Sequence, residues 1–100
     1  MKTIKQTKLY MRWYEQLKDR QAKARIAVRI RRMQFGNFGD AKSVGDGVSE
    51  LRFAFGPGYR VYFTERNGEI IILLAGGDKS TQKRDIEKAK QLAIDMEDIT

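Results

Sequence analysis

The sequence predicts an α+β domain: an N-terminal strand and a helical hairpin packed on an antiparallel β-meander, with a C-terminal helix. Three observations carry that prediction. Apolar residues recur at three- and four-residue steps from Leu9 to Met33 and again after Thr81, the repeat of a helix face. From Val48 the repeat shortens to two, the alternation of a strand. Gly56-Pro57-Gly58 and Asn67-Gly68, both turn signals, then cut the alternating region into three strands. A chain of 100 residues holds one hydrophobic core, so residues 1–100 are read as a single domain, without repeat or linker.

Lys2 to Gln6 reads as a short edge strand. Leu9, Tyr10, Trp13, Tyr14 and Leu17 form the apolar stripe of a first helix, which Lys18-Asp19 interrupts. At helical spacing beside leucines, these aromatics are expected in the core or at a partner interface, not as stacking platforms for bases. Ala22, Ile26, Ile30 and Met33 carry the period into a second helix, and Arg25, Arg29 and Arg32 line up away from its stripe as a cationic edge. Gly36 to Asp40 ends the helical region. Ala41 to Val44 is a minor strand or a loop before Gly45-Asp46-Gly47.

Leu51, Phe53 and Phe55 point to one face of the next strand, and Glu50, Arg52 and Ala54 to the other. Tyr59, Val61 and Phe63 then alternate with Arg60, Tyr62 and Thr64. Ile70 to Ala75 is apolar at every position, as expected of a strand covered on both faces. Ser80 or Thr81 is expected to cap a last helix in which Ile86, Ala89, Ala93 and Met96 face inward.

Composition narrows the chemistry. Hydrophobic residues at 41% and charged residues at 33% suit a folded core. Neither cysteine nor histidine is present, which excludes disulfides, thiolate zinc sites and histidine acid–base chemistry, so no metal or other cofactor is expected. The longest apolar run is too short to span a bilayer and no signal-peptide core follows Met1, so a cytoplasmic location and no membrane partner are expected. The net charge of +7 is uneven: eleven of the 20 Lys and Arg precede Gly36, against Glu15 and Asp19 alone. Such asymmetry points to a polyanion, most commonly nucleic acid.

If Gly56-Pro57-Gly58 closes a tight hairpin, Arg60 lies opposite Ala54, with Arg52 one pair along the same face. Pairing through Asn67-Gly68 sets Ala75 on the other flank of Arg60. Lys79 emerges nearby, giving a shallow cationic pocket suited to a phosphodiester. The alternative is that Arg52 and Arg60 only pair with Glu50 or Glu65. Tyr62, on the arginine face, is available to stack on a base or packs beneath the last helix. Gly76-Gly77-Asp78-Lys79-Ser80 lacks the Gly-Lys step of a Walker A loop, and Gly45-Asp46-Gly47 lacks the third glycine of a dinucleotide-binding turn.

Glu50-Leu51-Arg52, Gly56-Pro57-Gly58-Tyr59-Arg60-Val61-Tyr62-Phe63 and Gly76-Gly77-Asp78-Lys79-Ser80-Thr81-Gln82, with Trp13, Ala24-Arg25-Ile26, Gly36-Asn37-Phe38-Gly39-Asp40 and Lys42, resemble the addiction-module killer proteins, which belong with the RelE/ParE-like, HigB-type toxins. The resemblance covers nearly the whole chain. It implies a RelE-like fold and a toxin of a type II toxin–antitoxin module, a ribosome-dependent endoribonuclease that cuts mRNA in the decoding site. Its implied partners are mRNA on the ribosome and a cognate helix-turn-helix antitoxin.

By the resemblance, Arg52 matches a basic sheet position of the family's cleft, Arg60 the arginine after Gly-Tyr and Lys79 the basic residue just beyond the last strand. These are the expected catalytic residues, with Glu50 as an alternative base. Arg25, Arg29, Arg32, Lys42, Tyr62 and Lys83 are the expected RNA contacts. In the implied reaction a ribose 2′-hydroxyl attacks the adjacent phosphate, the arginines stabilise the pentacovalent state, and Lys79 serves as base or acid. Family members commonly carry a late His or Tyr for proton transfer, and this chain has neither beyond Tyr62. RNA or ribosome binding without cleavage, and gyrase poisoning of the ParE kind, are the other readings. If the basic N-terminal third makes phosphate contacts, RNA affinity measured by filter binding falls steeply between low and physiological salt, through counterion release. A flat salt dependence refutes that footing.

Overall fold

The computed structural model describes residues 1–95. In chain order the elements are β1 (Thr3–Gln6), α1 (Lys8–Gln16), α2 (Arg20–Met33), β2 (Ala41–Gly45), β3 (Val48–Arg52), β4 (Arg60–Arg66), β5 (Ile70–Gly77), a 3₁₀ turn (Lys79–Thr81) and α3 (Gln82–Asp95). The five strands form one sheet in the order β1-β5-β4-β3-β2. β2 to β5 pair antiparallel, while β1 lies parallel to β5, so the sheet is mixed, not a pure meander. Residues 41–44, ambiguous in sequence, become edge strand β2. Met96, expected to face inward, lies outside the described residues.

Two apolar layers clasp the sheet. On one face Tyr10, Ile26 and Met33 of the hairpin meet Leu51, Val61, Phe63, Ile71 and Leu73. On the other, Ala89 of α3 meets Val48, Tyr62, Ile72, Leu74 and Ala75. β5 supplies side chains to both layers, as its unbroken apolar run requires. Trp13 and Tyr14 pack against the first cluster, and Tyr10 is inside it.

Local polar groups fix the helix ends. The Thr7 hydroxyl accepts from the Tyr10 amide and donates to the Leu74 carbonyl, tying α1 to β5. Asp19, half of the Lys18-Asp19 break, caps α2 by accepting from the amides of Gln21 and Ala22. Ahead of α3 the cap is Asp78, not Ser80 or Thr81. Its carboxylate accepts from the Ser80 amide while the Thr81 hydroxyl meets the Asp78 amide, a reciprocal pair formed by the 3₁₀ turn that sequence spacing did not reveal.

The hairpin registers differ from expectation. β3 stops at Arg52, and residues 53–59 form a wider loop in which the Phe53 amide donates to the Tyr59 carbonyl and the Gly58 amide to Phe55. Phe53, Phe55 and Tyr59 fold back as a chain of ring contacts with centroids 5.9 Å apart, and this aromatic packing opens the turn. Arg60 therefore pairs with Arg52, not Ala54. At the second hairpin Arg66 pairs with Ile70, and a bulge between Tyr62 and Phe63 adds a further shift, so Arg60 faces Gly77, not Ala75. Each displacement totals two positions, and with a side-chain period of two the arginines keep their face.

Gly76 and Gly77 set the spacing of the layers. A Cβ on Gly76 would lie 2.1 Å from the Trp13 ring, and one on Gly77 would lie 1.9 Å from an Asp85 carboxylate oxygen. One glycine admits the hairpin and the next admits α3. Gly76→Ala is expected to cost about 1–3 kcal/mol by overpacking against a rigid indole. Urea unfolding checks this, and an unchanged midpoint refutes the close approach.

Candidate functional site

The sheet's end beside the 53–59 loop carries the positive charge. Two rows of side chains cross the sheet on its α3 face: Ala75, Tyr62, Glu50 and Lys42, then Gly77, Arg60 and Arg52. Arg60 and Arg52 are direct cross-strand partners, an arrangement that costs energy unless counter-charges are near. Each has one. Arg60 Nε lies 3.8 Å from Glu50 Oε1, with the Arg60 side chain 12% and Glu50 2% exposed. Arg52 donates through Nε and Nη2 to Asp40 Oδ1 at 3.2 and 2.9 Å, on the surface. Of the alternative pairings with Glu50 or Glu65, Arg60 makes the one with Glu50, whereas the partner of Arg52 is Asp40.

The loop backbone holds the Arg60 guanidinium. Its Nη1 donates to the carbonyls of Gly58 and Tyr59 at 2.9 and 3.1 Å. Lys79 comes alongside, its amide donating to the Pro57 carbonyl and its Cβ 3.3 Å from where a Gly58 Cβ would stand. Arg60 and Lys79 thus line one open cleft of about 360 Å³ with Phe53, Ala54, Gly56, Pro57 and Gly58. Of the three residues expected to converge, Arg60 and Lys79 line this cleft while Arg52 is the cross-strand neighbour of Arg60, and it is the loop, not a pair of flanking alanines, that makes the room.

Beneath the cleft is a buried polar group. Gln82 Nε2 donates to Glu50 Oε2 at 2.6 Å, linking the first residue of α3 to the carboxylate beside Arg60. Among the described residues the buried Arg60 Nε and Tyr62 hydroxyl have no partner at full hydrogen-bond geometry, and for both the neighbouring polar group is the Glu50 carboxylate. Burial, and next the negative charge of Glu50, push the Tyr62 hydroxyl above its ordinary value. Tyr62 is wholly enclosed under α3 and presents no face to a base. Glu50, equally enclosed, is placed to hold Arg60 and is shielded from any ligand in the cleft, so the geometry does not fit an alternative base.

Asp40 stands at a focus of arginines. The hydrogen bond from Arg52 chiefly holds its carboxyl below the usual carboxylate range; desolvation opposes the shift, and the charges of Arg52, Arg29 and Arg60 add to it. The same bond raises the Arg52 guanidinium. An exposed pair of this kind exchanges readily with another anion. In sequence Asp40 and Gln82 stand only within motifs, with no role of their own; the fold brings Asp40 to Arg52 and Gln82 to the carboxylate of Glu50 beside Arg60.

The cationic edge of α2 divides in two. Arg29 turns inward: Nη1 donates to the Arg52 carbonyl at 2.7 Å, Nη2 to the carbonyls of Phe38 and Asp40, and the guanidinium lies over the Phe53 ring. Partial burial lowers its pKa first of all. It ties α2 to the end of β3 and is not a free contact for RNA. Arg25 and Arg32 remain exposed, Arg25 over the Phe55 ring. Lys42 is exposed on β2. Lys83 is exposed on α3, in a separate depression with Ser80, Thr81, Arg84 and Glu87.

Fold and site together define a small basic α+β protein with a cleft lined by Arg60 and Lys79 at one end of a mixed sheet. Residues 12–94 match the phage-derived Gp49-like protein family (DUF891), and the chain belongs to that family, which is associated with toxin–antitoxin systems. An uncharacterized protein of Haemophilus influenzae is 56% identical over 93 residues, covering 93% of this chain and 94% of its own length. No described helix is long and apolar enough to cross a membrane.

The enclosed pair at Arg60 and Glu50 makes a stability prediction. Glu50→Leu strands a buried guanidinium and is expected to cost about 3–5 kcal/mol, whereas adding Arg60→Met recovers much of the loss. Urea unfolding of the two single variants and the double variant checks it. Additive losses refute the coupling.

Proposed function

We propose that this protein is the toxin of a type II toxin–antitoxin module, of the RelE/ParE superfamily and HigB type, cutting mRNA on the ribosome under control of a cognate helix-turn-helix antitoxin. The carrying observation is the cleft where Arg60, fixed from below by Glu50 and from the side by loop carbonyls, meets Lys79. Membership in a family associated with toxin–antitoxin systems supports the module, and the net charge of +7 supports an RNA substrate.

In this reading a phosphodiester enters the cleft with its non-bridging oxygens toward Arg60 and Lys79. The ribose 2′-oxygen attacks phosphorus as the bond to the 5′-oxygen of the next nucleotide breaks, leaving a 2′,3′-cyclic phosphate and a 5′-hydroxyl. The 2′-hydroxyl loses its proton and the departing 5′-oxygen gains one. Lys79 is the cation placed to assist that transfer, and Arg60 stabilises charge on the pentacovalent phosphorus. Arg52 joins as the phosphate competes with Asp40 for its guanidinium. Glu50 keeps Arg60 in place. With no histidine in the chain, rate must come largely from substrate orientation, which a ribosome-bound message supplies.

Primer extension on translating ribosomes tests the proposal. Lys79 is exposed, so Lys79→Ala is expected to fold normally and to lose about 10²–10³ in cleavage rate. Arg60→Lys keeps the charge beside Glu50 but loses the fork, and it restores only part of the activity. Either variant cleaving at the parental rate removes this cleft as the active site. Tight ribosome binding by a parent that does not cleave identifies a non-catalytic binder, the reading that the missing histidine favours.

A further inference from the structure

We infer that the groove between α2 and the 53–59 loop is a nucleobase subsite, which takes the base adjoining a phosphate held by Arg60 and Lys79. The inference rests on reading that cleft as a phosphate site, and it names what lies next to it. The groove has a volume of about 360 Å³ and is lined by Ala24, Arg25, Val28, Arg32, Phe53 and Phe55 among others. Phe53 and Ala54 belong to both cavities, so groove and cleft share a wall. A ligand that continues from one phosphate to its own nucleoside need only cross Ala54.

The lining suits a flat, weakly polar ring attached to an anion. Arg25 lies over Phe55 with its guanidinium 4.7 Å from the ring centroid, and Arg29 lies over Phe53 at 4.6 Å. The rings hold the guanidinium planes in position, and an exposed plane such as that of Arg25 is a surface on which a base stacks. Val28, 44% exposed, gives the groove an apolar side. Among the described residues Arg25 and Arg32 have no carboxylate within ion-pair distance, so the rim carries uncompensated positive charge for a flanking phosphate. An acidic peptide also matches that charge. The shared wall and the guanidinium stacked on a phenyl ring favour the nucleotide, because they place a flat platform one residue from the phosphate cleft.

Amide-resolved NMR titration of the full chain tests this with three probes: inorganic phosphate, a 2′-O-methylated adenylyl-adenosine, and its counterparts lacking one base or the other. Phosphate is expected to shift Gly58 and Lys79. The dinucleotide is expected to shift Arg25, Val28 and Phe55 as well, and loss of the base in the groove abolishes only those added shifts. Arg25→Lys, which keeps charge but loses the plane, is expected to weaken the dinucleotide about tenfold while phosphate binding stays unchanged.

Phosphate shifts at Lys79 with no base-dependent shift in the groove overturn the subsite and leave the cleft standing. No phosphate response at Gly58 and Lys79 overturns the phosphate cleft itself. A glutamate-rich amphipathic peptide that shifts the groove when the dinucleotide does not makes the face a protein interface and likewise overturns the proposal.

Discussion

Everything in this fold is hung on β5, the strand that is apolar on both sides and hydrogen-bonded along both edges. β1 joins one edge in parallel and β4 the other in antiparallel fashion, while the hairpin and α3 press on opposite faces. Such a strand has no solvent-facing side on which to carry polar residues, which is why its sequence shows no alternation. It also has to let two helical layers come close at its end. Gly76 and Gly77 do this in succession, one toward Trp13 and one toward Asp85. The cleft begins where that strand stops.

The charge arrangement follows from the same geometry. With Gly77 beside Arg60 and Arg52 opposite it, two guanidinium groups occupy one row of the sheet. Their mutual repulsion is met by carboxylates of different kinds, one enclosed and one exposed. Glu50 is fixed by Gln82 and cannot leave, so Arg60 is permanently oriented. Asp40 is on the surface and can be displaced, so Arg52 is paired at rest and available to a competing anion. One arginine is a fixture and the other a gate in charge terms, although both are arginines on the same face.

Much of this was legible in the sequence because a strand repeats every two residues. The expected partners of Arg60 were each wrong by two positions, yet an even error leaves Arg60 on its predicted face, so it still shares that face with Arg52 and still meets Lys79 in the cleft. What pattern reading missed has local causes. Phe53 and Phe55 alternate like strand residues, but tertiary stacking with Tyr59 draws them into a loop. Arg29 has the helical spacing of a solvent-facing cation, but the carbonyls ending β3 and the 38–40 segment claim it. Tyr62 was rightly placed on the arginine face, and only the packing of α3 shows that this part of the face is closed. Asp78 takes the cap from Ser80 and Thr81 because a 3₁₀ turn precedes the helix.

Trp13 is the chain's single tryptophan, and its indole rests over Gly76 with Tyr59 edge-on at 6.3 Å. Tyr59 in turn supplies a carbonyl to Arg60. The protein therefore carries a built-in optical reporter wired to the rear of the cleft. Its emission samples the docking of α1 and the posture of the 53–59 loop from one location, with no label and no second indole to confuse the signal.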